Sequence, residues 1–117
     1  MIKERLLSLP DDIEEMRIEQ INADKRLQHY VEEVSKWELQ ELDLIANAVD
    51  ENEKAIYSND TKRKAELERR KENEDYQGLL EAMDEAKLEK ELMAIRLDKL
   101  YNEQSNLRAI CRLEGQE

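Results

Sequence analysis

The stretch "YQGLLEAMDEAKLEKELMAIRLDKLYNEQSNLRAIC", residues 76–111, decides the fold. Tyr76, Leu79, Met83, Ala86, Lys90, Met93, Leu97, Leu100, Gln104, Leu107 and Cys111 follow one another in steps of three and four. That rhythm brings them onto one line of an α-helix and is the signature of a coiled-coil seam. Lys90 and Gln104 are its polar members; such residues fix register at a cost in stability. Leu88, Leu92 and Ile95 fall off this line. A two-helix coil does not need them, so they predict a further contact surface and self-association.

Working toward the N-terminus, "YSNDTK" (57–62) holds Ser58, Asn59 and Asp60. These are turn formers and N-cap residues, because their side-chain oxygens accept the orphan N–H groups of a new helix. The second helical arm is therefore expected from about Asp60 to Leu113. A weak break is expected at "ENED" (72–75), where Asn73 or Asp75 recaps the helix, and Gly78 lowers the local propensity. The connection is short, which favours antiparallel neighbours.

The first arm is expected over about 9–57. Pro10 is read as a first-turn residue, followed by Asp11, Asp12, Glu14 and Glu15 at the positive end of the helix dipole. No breaker follows before Tyr57. Ile13, Met16, Ile21, Leu27, Tyr30, Val31, Val34, Trp37, Leu42, Ile45, Val49 and Ile56 are read as its apolar face. A helix of that length, about 70 Å, has to bury its stripe against something.

Composition agrees. Of the 117 residues, 42% are charged, and there are only 2 Gly, 1 Pro and no Phe, too little turn chemistry for a sandwich or barrel. The fold class expected is all-α, an antiparallel helical hairpin in one domain (residues 1–117), assembling into a helical bundle.

The net charge of -11 repels nucleic acid and anionic membrane, and favours a basic protein partner. Cys111 is alone and cannot form an intrachain disulfide; its seam position marks it as a small core residue. With no signal-peptide pattern at Met1–Pro10, the expected setting is reducing and cytoplasmic. No apolar run approaches the roughly 18 residues of a membrane span.

Catalytic chemistry has little to stand on. His29 with Glu32 and Glu33 is one helix-face set, short of the several sets a di-iron bundle needs. No phosphate loop, paired-cysteine motif or nucleophile with a base is evident. No enzyme activity, metal or cofactor is expected. Tyr30 and Trp37 share a face and read as bulky filler rather than a stacking site for a ligand.

The remaining candidate is the basic run Lys62, Arg63, Lys64, Arg69, Arg70 and Lys71, in which Glu66 and Glu68 are the only acids. Its balance of +4 stands against -15 in the rest of the chain. One reading is a solvated helix face with pairs such as Glu66 with Arg70. The other is a basic tip that touches phosphates or an acidic partner. No aromatic residue lies between Lys62 and Glu74, so a single strand has no stacking platform there. The first reading is favoured.

"SNDTKRKAEL" (58–67) followed by "ENEDYQGLLEAMDEAKLEKELMAIRLDKLYNEQSNLRAICRL" (72–113) resembles small helical coiled-coil proteins of bacteriophage, prophage and mobile-element recombination modules. The features are an Asn-containing turn before a charged helix, an acid before "YQ", and the late "LRAICRL". Tyr76, Leu79, Leu107, Ile110 and Leu113 carry the match, which spans about the last 60 residues. The resemblance implies a non-enzymatic accessory role beside a recombinase or single-strand binding protein, and no catalytic residues. The alternatives are a structural coiled-coil scaffold or spacer, and an inhibitor that imitates DNA with its carboxylates.

Overall fold

The computed structural model describes residues 1–116. Three helices account for almost all of them: α1 (Ile2–Asn47), α2 (Asp60–Arg70) and α3 (Glu74–Gln116). No strand occurs among the described residues beyond one isolated antiparallel bridge, Val49 with Ala55. The fold is all-α, a helical hairpin in which α1 meets returning helices that run the opposite way. Two compact units result. One joins Met1–Leu27 to α3 from Ala86 onward; the other is Gln28–Glu85. Each draws on both arms, because neither arm can bury its stripe alone.

In the first unit, the core is Leu9, Ile13 and Ala23 from α1 against Ala86 and Leu97 from α3, all buried. Ile2, Leu6, Met16, Gln20 and Leu27 extend the α1 line, half-buried, again in steps of four and three. On α3 the seam residues Lys90, Met93, Leu100, Gln104, Leu107 and Cys111 are half-buried. Charged pairs bracket this seam. Arg5 donates from Nε to Glu103 Oε1 at 2.6 Å and from Nη2 to Oε2 at 2.9 Å, a two-pronged contact. Arg26 pairs with Glu89, and Lys90 Nζ reaches Asp24 Oδ1 at 2.8 Å. Residue 5 opposite 103 and 26 opposite 89 define an antiparallel register. Asp24 also explains how a lysine sits in the seam: its ammonium is neutralised at the rim while its stem lies along apolar surface.

In the second unit, Val34, Ile45 and Tyr76 are buried. The Trp37 ring stacks on Tyr76 with centroids 4.3 Å apart. The Tyr76 hydroxyl donates to Glu38 Oε1 at 2.6 Å, so residue 38 of α1 meets residue 76 of α3, while residue 41 meets Arg70 at the end of α2.

Three sequence expectations need correction. First, α1 begins at Ile2, not near Leu9–Asp11, and Pro10 lies inside it. An interior proline forfeits one hydrogen bond and crowds the preceding turn, a cost of about 3 kcal/mol. Opposing this, Leu9 and Ile13 are buried on either side of Pro10, and Arg5 Nη1 bonds Asp12 Oδ2 at 2.6 Å across it.

Second, α1 stops at Asn47, ten residues before Tyr57. Asn47 Nδ2 donates to the Asp43 carbonyl at 2.9 Å. Asp50 Oδ1 then accepts the N–H groups of Asn52 (2.8 Å) and Lys54 (3.0 Å), an Asx-type turn. Backbone bonds from Asp50 to Lys54 and from Ile56 to Ala48 close a narrow loop. Glu53 takes the left-handed conformation, φ 62°. Val49 and Ile56 belong to this loop and are exposed, not part of a helical face.

Third, Ile21, Val31 and Leu42 are exposed. They sit out of phase with the three-four line on which the buried residues of α1 lie.

The helix starts follow the cap residues. Asn59 Oδ1 accepts Lys62 N–H at 2.9 Å and opens α2. After Lys71, Asn73 Oδ1 accepts Asp75 N–H at 2.8 Å and opens α3.

Candidate functional site

The basic run lies on α2 and the turn that follows it. Its centre is Glu66, a carboxylate only 9% exposed. Arg69 Nε donates to Glu66 Oε2 at 3.0 Å, and Arg70 Nε donates to Oε1 at 2.9 Å. Hydrogen bonds from Arg69 and then Arg70 hold the Glu66 carboxyl down at about 2, against an ordinary 4.5. Arg70 also donates from Nη1 to Glu41 Oε2 at 2.9 Å. Lys71 Nζ lies 3.0 Å from Glu68 and 3.8 Å from Glu38. Its pKa is raised, first by the hydrogen bond to Glu68. Arg63 Nε donates to the Tyr57 carbonyl at 3.1 Å. Lys62 and Lys64 stay exposed.

The six cations are thus not equivalent. Arg69, Arg70 and Lys71 neutralise carboxylates from α2 and α1 and tie the bend between α2 and α3 to the first arm. A phosphate would compete with Glu66 and Glu41 for Arg70 and with Glu66 for Arg69. An open groove of about 470 Å³ lies beside this network, lined by Trp37, Glu41, Arg69, Arg70, Glu72 and Asn73. It mixes both signs of charge and presents no arrangement of nucleophile and base.

His29 packs edge-on against Tyr30, with ring centroids 5.2 Å apart. Among the described residues no group of three His, Cys, Asp or Glu side chains is arranged to hold a metal ion. Tyr30 is half-buried, and Trp37 is occupied with Tyr76. Burial comes first in pushing the Tyr76 phenol up to about 12, and the hydrogen bond to Glu38 adds to it. Cys111 is half-buried.

Leu88, Leu92 and Ile95 face away from the seam, with exposures of 56%, 41% and 63%. The structure adds outward residues that the sequence reading had missed or merged with the seam. Ile18 and Ile21 are exposed on α1 in the first unit, and Leu39 and Leu42 in the second. The signal was available, since each pair is three apart and out of phase with Leu9, Ile13 and Met16. Glu38 and Glu41 carried no local signal, because their partners lie 29 to 38 residues away.

No helix among the described residues is long and apolar enough to cross a membrane. Comparison with protein-family models, with curated proteins and with solved structures finds no match to this chain.

Proposed function

We propose that the chain is a non-enzymatic accessory protein of phage or mobile-element DNA recombination or replication, acting through contacts with other proteins. The observation that carries this reading is the pair Leu39 and Leu42, large apolar residues turned outward from α1. They lie in the Gln28–Glu85 unit, whose 17 acidic and 8 basic side chains leave a net charge of -9. An apolar patch on an acidic background suits a partner with an apolar spot and a basic rim. The resemblance of residues 58–113 to recombination-module proteins supplies the class of partner: a single-strand annealing recombinase or a single-strand binding protein.

The test is titration of the purified chain with each of those two proteins, followed by calorimetry. Binding should weaken with salt and drop at least about tenfold when Leu39 and Leu42 become Ser, the loss expected from removing roughly 1.4 kcal/mol or more of contact. Helicity should be unchanged, since both positions lie off the core. No binding to either protein would reject the reading. Displacement of DNA from the partner by the wild-type chain would instead favour the DNA-imitating inhibitor. The scaffold reading draws on the outward apolar residues of the other unit.

A further inference from the structure

We infer that α2 is an ionic strap: ion pairs to α1, not apolar burial, hold it over the end of the first arm, and rising salt releases it while the start of α3 stays paired. The inference concerns the Gln28–Glu85 unit alone, goes beyond the partner reading above and uses neither Leu39 nor Leu42.

α2 has almost nothing apolar to bury. Of its 11 residues only Ala65 and Leu67 are apolar; Ala65 is exposed and Leu67 half-buried. Its buried side chain is the carboxylate of Glu66. A helix this short is marginal by itself in water. The start of α3 differs: Tyr76 is buried there, and Leu79, Leu80, Ala82 and Met83 are half-buried.

Charge supplies what apolar area does not. Residues 60–71 hold six bases and three acids, whereas residues 38–47 of α1 hold Glu38, Glu41 and Asp43 and no base. Two ion pairs cross between these stretches: Arg70 Nη1 with Glu41 Oε2 at 2.9 Å, and Lys71 Nζ with Glu38 Oε1 at 3.8 Å. Glu66 stiffens the first, because it holds Arg70 Nε on its Oε1 at 2.9 Å. The other acids nearby belong elsewhere. Glu68 pairs with Lys71 and Asp60 with Arg63, both within the 60–71 stretch. Asp50, Glu51 and Glu53 lie in the loop before α2 with Lys54. Glu72 lines the groove beside Arg69 and Arg70, and Glu74 and Asp75 stand in the first turn of α3, at the positive end of its dipole.

Solvent ions reach both ties, since the four side chains keep between 23% and 33% of their surface exposed. The reach of a charge falls from about 10 Å at 0.1 M salt to about 3 Å at 1 M. Salt therefore loosens α2, whereas the stacking of Trp37 on Tyr76 does not depend on charge.

The strap covers Ile45. In the antiparallel register set by Glu41 with Arg70, four residues onward on α1 is level with four residues back on α2, so Ile45 lies level with Glu66. α3 starts near the level of Glu38 and runs away from Ile45. Ile45, wholly buried, therefore owes its cover to α2 and the loop before it, and release uncovers it.

Hydrogen exchange of the full chain, read by mass spectrometry and corrected for the intrinsic rates, tests this. Between about 0.05 M and about 1 M sodium chloride, protection of residues 60–71 should fall several-fold while that of residues 74–85 holds. At low salt, Glu41→Ala should cost residues 60–71 about tenfold in protection, the loss of one charge-assisted bond, and should blunt their salt response. Glu51→Ala, which removes the same charge from the loop, should do neither. As a second readout, Ile45→Cys with Cys111→Ser places a thiol under the strap; its reaction with a disulfide reagent, relative to a free thiol, should quicken with salt. The inference is overturned if residues 60–71 and 74–85 lose protection together, if 60–71 is unprotected at low salt, or if Glu41→Ala changes nothing. A thiol at position 45 that reacts at one rate at all salt concentrations overturns it too. None of these results bears on binding of a recombination protein at Leu39 and Leu42.

Discussion

Trp37 and Tyr76 stack at 4.3 Å with their rings inclined by 30°, and so join the middle of α1 to the first turn of α3. The pair should be worth about 0.5–1.5 kcal/mol beyond its area. A double-mutant cycle with Trp37→Leu and Tyr76→Leu, read by urea unfolding, should return a coupling of that size. The only tryptophan reports directly on the contact through its fluorescence. Additive effects would mean that the rings are neighbours without interaction.

The same tyrosine makes an alkaline prediction. Its folded pKa of about 12 lies above the ordinary 10, so the neutral phenol is the form the fold favours. That contribution is complete below pH 10 and is lost as pH rises through about 12. Between those values the wild type should lose stability faster than Tyr76→Phe, which has no proton to release. Parallel curves would remove Glu38 and burial as the causes of the shift.

Glu66 gives the opposite case. Its folded pKa is depressed to about 2, so its contribution is present above pH 4.5 and is lost as pH falls toward 2. Glu66→Gln should destabilise the chain at neutral pH and flatten the acid limb of its stability curve. An acid limb unchanged by the substitution would place the titrating group elsewhere.

At Leu97, 8% exposed, Leu97→Asp puts an unpaired charge into the seam, at a cost of about 3–5 kcal/mol. Ser105→Asp, at an exposed position of the same helix, should change the melting temperature little. Equal effects on melting would mean that the apolar face is misplaced.

Replacing Lys62, Arg63, Lys64, Arg69, Arg70 and Lys71 by Gln should alter stability more than nucleic-acid affinity. Arg69, Arg70 and Lys71 serve Glu66, Glu41, Glu68 and Glu38, so removing them strands carboxylates. Filter binding with single-stranded and duplex DNA should detect no salt-sensitive complex of the wild type. A complex lost with those six side chains would make the stretch a working surface.

How far the sequence carried can be read from these residues. The α3 seam was legible because its three-four rhythm is unbroken from Tyr76 to Cys111. The caps Asn59 and Asn73 were legible because capping is local chemistry. On α1, apolar residues occupy both the seam and the outward face, so periodicity alone merged Ile21, Val31 and Leu42 with Leu27 and Val34. Pro10 misled because its local preference for a first turn was overridden by the burial of Leu9 and Ile13. The loop at 48–56 hid in an apparently helical run; Asp50 and Asn52 were its only markers. The Glu66, Arg70 and Glu41 network was half legible: the contacts within α2 follow helical spacing, whereas Glu41 is tertiary.

The antiparallel pairing of α1 with α3 underlies both outward faces, and a distance tests it most directly. With Cys111→Ser, spin labels at Arg26 and Glu89, diluted into unlabelled chain, should lie within about 20 Å, as expected for facing positions on helices packed 8–10 Å apart. One continuous helix would separate them by about 95 Å at 1.5 Å per residue. A single short distance is the result predicted; a distribution centred far beyond 20 Å would contradict the hairpin.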